Sequence, residues 1–297
     1  MGVDLGGTKI EAIALGADGS TLARRRVFTP AGDYLGTIET IGALITEMEG
    51  ELRQSASIGV GTPGAISVET GLVKNSNSTV LNGRPLHRDL AERLKREIRI
   101  ANDANCFSLS EASDGAAQGF ATVFGVILGT GVGGGLVVHG RIVEGRNAIA
   151  GEWGHNPLPW PQLDDLPGAP CYCGKRGCIE TFLSGRGLAR GYERRSGRLL
   201  DALEITAKAG HGDADSGETV AEYEDRLARG LAHVVNIVDP DVIVLGGGLS
   251  NIQRLYKNVP RLMRRYVFSD TFDTPLVPAQ HGDSSGVRGA AWLWPSP

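Results

Sequence analysis

Short apolar runs that alternate with amphipathic stretches dominate the pattern of hydrophobic and polar positions along the chain. The runs GVDL, IEAIAL, IRIAN and DVIVLGGG are rich in β-branched residues and end in glycine or polar turns, which is typical of buried strands. Residues 34–49 and 86–97 instead carry apolar residues at helical spacing. Strands that alternate with helices predict an α/β architecture with largely buried sheets.

The later part of the chain contains one strongly periodic helix and one long irregular segment. Residues 218–238 place apolar side chains on one helical face, and Pro240 stops the pattern. Residues 155–178 are rich in proline, glycine and cysteine and show little periodicity, so we expect a loop there. A short last helix is expected near residues 285–294.

A strand–glycine turn–strand pattern occurs twice, at residues 2–13 and 123–138. The two copies share little sequence identity and are recognised by their pattern alone. They indicate two related halves around a cleft.

Composition narrows the class of protein. A chain of 297 residues is long enough for two domains. The formal net charge is −4, without runs of one sign, which argues against nucleic acid or an anionic membrane as the main partner. The sequence has no uninterrupted apolar stretch of about 18 residues and no basic-then-apolar leader, so we expect a cytoplasmic protein.

Three glycine-rich turns are candidates for binding phosphate. DLGGTK (4–9) and GTGVGG (129–134) each join two apolar runs, and GGG (246–248) ends a third. Glycines let the backbone direct N–H groups at an anion. The second turn matches G-x-G-x-x-G, but a strand-like run follows it where a dinucleotide-binding turn opens a helix. Each turn alone could be an ordinary hairpin; all three together favour a nucleotide.

Asp103 follows the strand-like run IRIAN at the start of a predicted helix. From these residues alone, two functions remain open. Asp103 could cap the helix, which is the usual use of aspartate at this position. Alternatively, it could act as a general base at the carboxyl end of a strand, where ligands of α/β proteins gather.

Three of the four cysteines lie within the eight residues CYCGKRGC, and His155 lies upstream. A redox site usually has C-x-x-C spacing, which is absent here, and three clustered thiols cannot all pair in disulfides. Three thiolates and an imidazole form a closed tetrahedral zinc set. We therefore expect His155, Cys171, Cys173 and Cys178 to bind a structural zinc ion, and Cys106 to pack in the core.

These motifs together resemble the ROK family of sugar kinases, within the actin-like ATPase superfamily. The resemblance extends over essentially the whole chain. It rests on DLGGTK, GVGTPG, NDANC, GTGVGGG, GEWGH, CYCGKRGCIE, DPDVIVLGGGLS and HGDSSGVRGAAWLWP. More narrowly, KNSNSTVLNGRPL, GEWGHNPLPW and GDSSGVRGAAWLWP resemble the bacterial fructokinase, or manno(fructo)kinase, branch.

The resemblance implies a two-domain actin-like ATPase fold of the ribonuclease H-like type, with ATP and sugar in the interdomain cleft. A smaller N-terminal domain would cover residues 1–117 and be joined by a C-terminal helix at 285–297. A larger domain would cover 118–284 and include the zinc-binding loop 155–178. The family also implies a homodimer.

The resemblance also implies roles for individual residues. Asp103 would be the catalytic base that takes the proton of the sugar 6-hydroxyl, and Asp4 would orient the water shell of Mg²⁺. The phosphates of ATP would contact Gly6, Gly7, Thr8, Lys9, Gly129, Thr130, Gly131 and Gly133, and the adenosine would contact Gly246, Gly247 and Gly248. The sugar would contact Gly64, Asn77, Asn102, Asp103, Glu152, His155 and Glu180.

We therefore expect ATP-dependent phosphorylation of fructose, and of mannose as a second substrate, at the 6-hydroxyl. An N-acetylglucosamine or glucose kinase of the same family is the alternative, because the preferred hexose depends on loops that the sequence does not place. A sugar-responsive transcriptional repressor is a more remote alternative. It would carry a DNA-binding segment ahead of the first glycine turn, which here begins at residue 4.

Overall fold

A computed structural model describes residues 1–294 of the protein, without the side chain of Asp283. The chain divides into two compact units. The first comprises Met1–Ala121, Gly135–Ala150 and the segment from Gln280 onward, and the second comprises Thr122–Gly134 and Gly151–Ala279. The domain limits implied by the resemblance stay a prediction.

Twelve strands occur in the described residues, and most coincide with the apolar runs of the sequence. In chain order they are β1 Gly2–Leu5, β2 Lys9–Leu15, β3 Thr21–Phe28, β4 Ile58–Thr62, β5 Ala65–Ile66, β6 Val73–Lys74, β7 Ile98–Asn102, β8 Thr122–Leu128, β9 Val132–Val138, β10 Arg141–Ile142, β11 Val242–Gly246 and β12 Leu276–Pro278.

Two five-stranded sheets repeat one topology. The first has the order β3-β2-β1-β4-β7, and the second has the order β10-β9-β8-β11-β12. In the first sheet, β2 pairs antiparallel with β1 and β3, whereas β4 pairs parallel with β1 and β7. In the second, β11 pairs parallel with β8 and β12, and β9 pairs antiparallel with β10. The repeated strand order confirms the predicted internal repeat and the α/β class.

Nine α-helices accompany the sheets in the described part of the chain. They are α1 Tyr34–Leu52, α2 Leu86–Leu94, α3 Asp103–Asp114, α4 Ile179–Leu183, α5 Gly185–Ser196, α6 Ala202–Gly210, α7 Ala214–Val238, α8 Leu255–Met263 and α9 Ser285–Ala291. The C-terminal helix expected over 285–297 thus ends at Ala291, and its last three predicted residues lie outside the described residues.

Local capping explains where the main helices begin and end. Asp33 and Asp213 accept hydrogen bonds from backbone N–H groups in the first turns of α1 and α7. Helix α7 ends at Val238, and the capping residue Asp239 has a left-handed backbone conformation directly before Pro240. The stop predicted at Pro240 is confirmed, and the helix begins four residues earlier than the apolar pattern indicates.

The core of the first unit lies between its sheet and helices α1 and α2. Every residue of β4 is buried, and so are Ile41, Ile45 and Met48 on the inner face of α1. This packing holds the carboxyl ends of β1, β4 and β7 in a fixed register, and it is these ends that carry the candidate residues of the first unit.

Candidate active site

The first glycine turn joins β1 to β2, and hydrogen bonds hold its base. The backbone N–H of Gly6 donates to the carbonyl of Lys9 at 3.0 Å. The Thr29 hydroxyl donates to the carbonyl of Gly6 at 2.8 Å, and its backbone N–H donates to the carbonyl of Thr8. Gly7, Thr8 and Lys9 are exposed. The turn therefore has a fixed base and an open outer surface. No motif of the sequence predicted the role of Thr29.

Asp4 lies on β1 opposite Glu11 of β2. Burial, the charge of Asp103 and the charge of Glu11 together raise the pKa of Asp4 to about 7. Glu11 is itself buried and forms ion pairs with Arg24 and Arg26. The two predicted site carboxylates therefore belong to the same unit, and the charge of Asp103 contributes to the raised pKa of Asp4.

Asn102 and Asp103 occupy the junction of β7 and α3, as predicted. Asn102 is the helix cap: its side-chain oxygen accepts from the N–H of Ala104 at 2.8 Å, and its side-chain amide donates to the carbonyl of Gly64 at 2.9 Å. Asp103 lies in the first helical turn, where its carboxylate also accepts from the N–H of Ala104. The capping function considered for Asp103 therefore belongs mainly to Asn102.

Gly64 and Asn77 are joined through Ser76. A Cβ atom on Gly64 would lie 2.7 Å from the backbone nitrogen of Ser76, so the two backbones are in close contact. The side chain of Asn82 brackets Ser76: it accepts from the backbone N–H and donates to the carbonyl, both at 2.9 Å. Asn77 is exposed at the tip of this loop. The structure thus brings Gly64, Asn102 and Asp103 together beside the loop that carries Asn77.

The four predicted metal ligands converge in the second unit. Their ligand atoms all lie within 4.8 Å of one another. The Sγ atoms of Cys173 and Cys178 are 3.6 Å apart, and Sγ of Cys171 lies 3.5 Å from Nδ1 of His155.

These distances fit one tetrahedral zinc ion. Two thiolates on such an ion lie about 3.8 Å apart, and a thiolate and an imidazole nitrogen lie about 3.5 Å apart. The cysteines are not joined by disulfides. Burial raises the pKa of the Cys178 thiol to about 12 in the metal-free protein. Zinc would therefore displace its proton on binding.

Glu152, His155 and Glu180 belong to the same part of the second unit but have different surroundings. Glu152 is exposed. Nε2 of His155 lies 2.9 Å from the hydroxyl of Tyr172, whose ring packs edge-on against the imidazole. The carboxylate of Glu180 accepts from the backbone N–H of Val132 at 3.0 Å. The sequence did not predict this contact of Glu180 with the second glycine turn, and the role of Glu180 in binding sugar stays a prediction.

The second glycine turn lies between β8 and β9, and β9 already begins at Val132. The N–H of Gly129 donates to the carbonyl of Gly131, and the carbonyl of Gly129 accepts from the N–H of Gly185. Thr130 is exposed at the tip. As in the first glycine turn, hydrogen bonds hold the base of the turn, and its tip is exposed.

The third glycine run, Gly246–Gly248, follows β11. A cavity of about 440 Å³ lies beside it, lined in part by apolar residues of α6 and of the segment that follows the glycines. These are Leu203, Ala207, Leu249 and Ile252. The apolar pattern of the sequence did not predict this side of the cavity, because α6 has only one buried side chain, that of Ile205.

Comparison with known proteins gives the family. The model of the ROK family matches residues 1–296. The chain belongs to the ROK family. It is 40% identical over 296 residues to an N-acetyl-D-glucosamine kinase of Vibrio cholerae, covering 98% of both chains. It is 41% identical to an N-acetyl-D-glucosamine kinase of Pectobacterium atrosepticum, covering 98% of this chain and 97% of the relative.

A solved structure supports the fold. The ROK hexokinase of Thermus thermophilus matches with a TM-score of 0.87 and 33% identity, covering 98% of this chain and 96% of that one. The predicted actin-like α/β fold and membership of the ROK sugar kinases are confirmed.

The fructokinase subtype is wrong. Full-length relatives at 40–41% identity are N-acetyl-D-glucosamine kinases, so the narrower resemblance drawn from three short motifs is overturned. Those three motifs therefore do not separate the neighbouring branches of the family. No helix among residues 1–294 has the length and apolar character needed to cross a membrane.

Proposed function

We propose that this protein transfers the γ-phosphoryl group of ATP to the 6-hydroxyl of N-acetyl-D-glucosamine. The observation that carries the proposal is the identity of 40–41%, over almost the whole length of both chains, to enzymes that bear this name. The arrangement of the candidate residues within each unit is compatible with it.

Asp103 would position the 6-hydroxyl and accept its proton. General bases of this kind work best when they are held at a fixed place beside the acceptor. Asp103 meets that requirement because it lies in the first turn of α3, which Asn102 caps and ties to Gly64. Asn102, Gly64 and Asn77 would bind other hydroxyls of the sugar. In the second unit, Glu152, His155 and Glu180 remain candidates for the same purpose.

The glycine turns would bind the nucleotide. Gly7, Thr8 and Lys9 are exposed in the first unit, with the half-buried Gly6 beside them. Thr130 is exposed in the second unit, where the half-buried Gly129, Gly131 and Gly133 would complete the phosphate contacts. Asp4 would orient the water shell of Mg²⁺, which neutralises charge on the transferred phosphoryl group. Gly246–Gly248 and the adjoining apolar cavity would hold the adenosine.

His155, Cys171, Cys173 and Cys178 would hold zinc in a closed structural site. Bound zinc cross-links the loop 155–178 and leaves no coordination position for a reacting water. The zinc and its four ligands would thus make this loop rigid. The residues next to the ligands would contact the substrate or the second glycine turn.

An assay of ADP release over a panel of sugars tests the proposed substrate. We expect kcat/KM for N-acetylglucosamine to exceed the values for glucose, mannose and fructose by at least about 10-fold, the ratio that about 1.4 kcal/mol of differential transition-state binding gives. The 6-deoxy analogue of N-acetylglucosamine should inhibit without releasing ADP. A higher kcat/KM for glucose would overturn the substrate and retain the kinase; ADP release with the 6-deoxy analogue would overturn the acceptor position.

A further inference from the structure

The second glycine turn makes two hydrogen bonds to the segments that carry the zinc ligands. We call these segments, GEWGH (151–155) and CYCGKRGCIE (171–180), the zinc motifs. The indole N–H of Trp153 donates to the carbonyl of Gly133 at 3.0 Å. The carboxylate of Glu180 accepts from the N–H of Val132 at 3.0 Å. One motif thus holds a carbonyl of the turn, and the other holds the adjacent N–H.

At two glycines of the turn, a Cβ atom would come into close contact with these same side chains. A Cβ atom on Gly131 would lie 2.7 Å from Oε2 of Glu180, and a Cβ atom on Gly134 would lie 2.7 Å from Cδ1 of Trp153. Gly129, by contrast, has open space around it. Part of the glycine pattern therefore reflects packing against the zinc motifs, whereas Gly129 at the tip is open to a ligand.

Trp153 is itself held firmly. Its side chain is buried, with its ring edge-on to Phe124 at a centroid distance of 6.1 Å, and it lies against Gly230 of α7. Along the chain, Trp153 precedes the zinc ligand His155 by two residues, and Glu180 follows the zinc ligand Cys178 by two residues. The zinc ligands can therefore fix the position of both side chains that hold the turn.

We propose that Trp153 and Glu180 are positioning residues through which the zinc centre sets the conformation of the second phosphate turn. Residues just outside a metal's ligand set commonly depend on the metal for their position. When zinc is bound, the backbone of residues 131–133 is held, and the tip at Gly129 and Thr130 is presented to the nucleotide phosphates. This inference rests on the proposed function, because it takes the turn to bind ATP and the cluster to bind zinc.

Replacing Trp153→Phe tests the first contact, because phenylalanine keeps an aromatic ring but lacks the N–H donor. We expect the variant to bind the non-hydrolysable ATP analogue AMPPNP about 10-fold more weakly by calorimetry, as fits the loss of one buried hydrogen bond. Its zinc content and its affinity for N-acetylglucosamine alone should stay within about 2-fold of the unaltered protein. Trp160→Phe, in the same unit but stacked on Tyr266, is the matched control and should leave AMPPNP affinity unchanged.

Two substitutions of Glu180 test the second contact. Glu180→Gln keeps an oxygen that can accept from Val132, so AMPPNP affinity should stay close to normal. Glu180→Ala removes the acceptor and should weaken AMPPNP binding about 10-fold. Equal AMPPNP affinities for the two variants would overturn the role of Glu180 in holding the turn, whatever happens to sugar binding.

Zinc removal provides the decisive measurement. Protein stripped of zinc, checked by metal analysis and circular dichroism, should bind AMPPNP at least about 10-fold more weakly and recover on adding Zn²⁺. Unchanged affinity in folded, zinc-free protein would refute the coupling, and so would unchanged affinity in Trp153→Phe. The unaltered protein provides a separate check. If it binds no AMPPNP at all, the proposed function fails. If it binds AMPPNP and the variants and the zinc-free protein bind equally well, only the link between the zinc centre and the turn is overturned.

Discussion

Asp103 and Asp4 show how two carboxylates in one unit acquire different properties. Asp103 lies at a capped helix start, while Asp4 is enclosed on the first sheet beside Glu11. Burial is the largest cause of the raised pKa of Asp4, and the charge of Asp103 is the next. A carboxylate with an elevated pKa is costly to ionise until a cation neutralises it, which is compatible with the role proposed for Asp4 beside Mg²⁺.

Replacing Asp103→Asn should abolish most catalysis and leave binding intact. The amide keeps the size of the side chain and an acceptor for the N–H of Ala104, but it cannot take a proton. We expect kcat to fall by about 10²–10⁴-fold, with the dissociation constant for N-acetylglucosamine changed less than about 3-fold. Steady-state kinetics and calorimetry check the two values. A variant that retains a tenth of the original kcat would exclude Asp103 as the base.

Asp4→Asn should stabilise the nucleotide-free protein in a pH-dependent way. The pKa of Asp4 is about 7 in the folded state and 3.8 in the reference state. Between these values the folded state binds more protons than the unfolded state, so the contribution of Asp4 to stability falls as pH rises from about 4 to 7. The variant avoids this loss, which is at most about 4 kcal/mol.

Melting curves at pH 5 and pH 8 measure the effect. The gain in Tm from Asp4→Asn should be larger at pH 8 than at pH 5. Asp18→Asn serves as the control, because Asp18 is exposed and its pKa is lowered by hydrogen bonds from Ser20. A gain that is equal at both values of pH would contradict the raised pKa of Asp4.

At the scale of elements, the irregular loop 155–178 is attached to helix α7 by buried charges. Asp165 of the loop forms ion pairs with Arg226 at 2.8 Å and with Arg229 at 2.9 Å, both on α7. All three side chains are buried. Arg229 also donates to the carbonyl of Trp160 at 2.9 Å. The loop therefore has two anchors, the cysteine–histidine cluster at one end and this charge cluster near its middle.

Asp165→Asn should destabilise the protein strongly. It removes the carboxylate that two buried guanidinium groups share, and these retain their ion pairs with Glu222 and Asp225 on α7. We therefore expect a loss of about 2–3 kcal/mol, as for a lost hydrogen bond to a charged group. Denaturant unfolding of the second unit checks the value. Asp164→Asn, at an exposed position in the same turn, should change the free energy of unfolding by less than about 0.5 kcal/mol. If both variants lose similar amounts of free energy of unfolding, the destabilisation comes from changing the turn and not from removing the buried charge.

Elements could be predicted from the sequence where the apolar pattern was strong. The buried strands β4 and β11 and the long helix α7 follow directly from it. Helix α5 was missed because its sequence, GRGLARGYERRS, offers only Leu188 and Tyr192 as large buried side chains. Helix α8 was missed although Leu255, Val259 and Met263 recur every four residues, since Pro260 interrupts the sequence signal.

At the scale of the whole molecule, the order of motifs predicted the family but not the branch. The cysteine spacing predicted a cluster whose ligand atoms the structure brings within 4.8 Å. The contacts from Trp153 to Gly133 and from Glu180 to Val132 join residues 20 and 48 positions apart, and no local pattern encodes them. The preferred sugar was predicted wrongly because its recognition depends on how several loops are placed.

The homodimer implied by the family stays a prediction. We expect light scattering on the purified protein to give a mass near twice the 31.3 kDa of one chain. The mass should stay at this value across a range of protein concentrations if the dimer is tightly bound. A mass equal to that of one chain at all concentrations would exclude the dimer.

The hydrogen bonds of Trp153 and Glu180 also limit how this protein can be recombined with its relatives. A hybrid enzyme that takes residues 129–134 from one parent and residues 151–180 from another separates residues that are joined by hydrogen bonds in this chain. Crossover points chosen outside 129–180 would transfer the second glycine turn and the loop 155–178 together as one cassette. Directed-evolution libraries that respect this cassette should therefore contain a higher share of active members than those that split it.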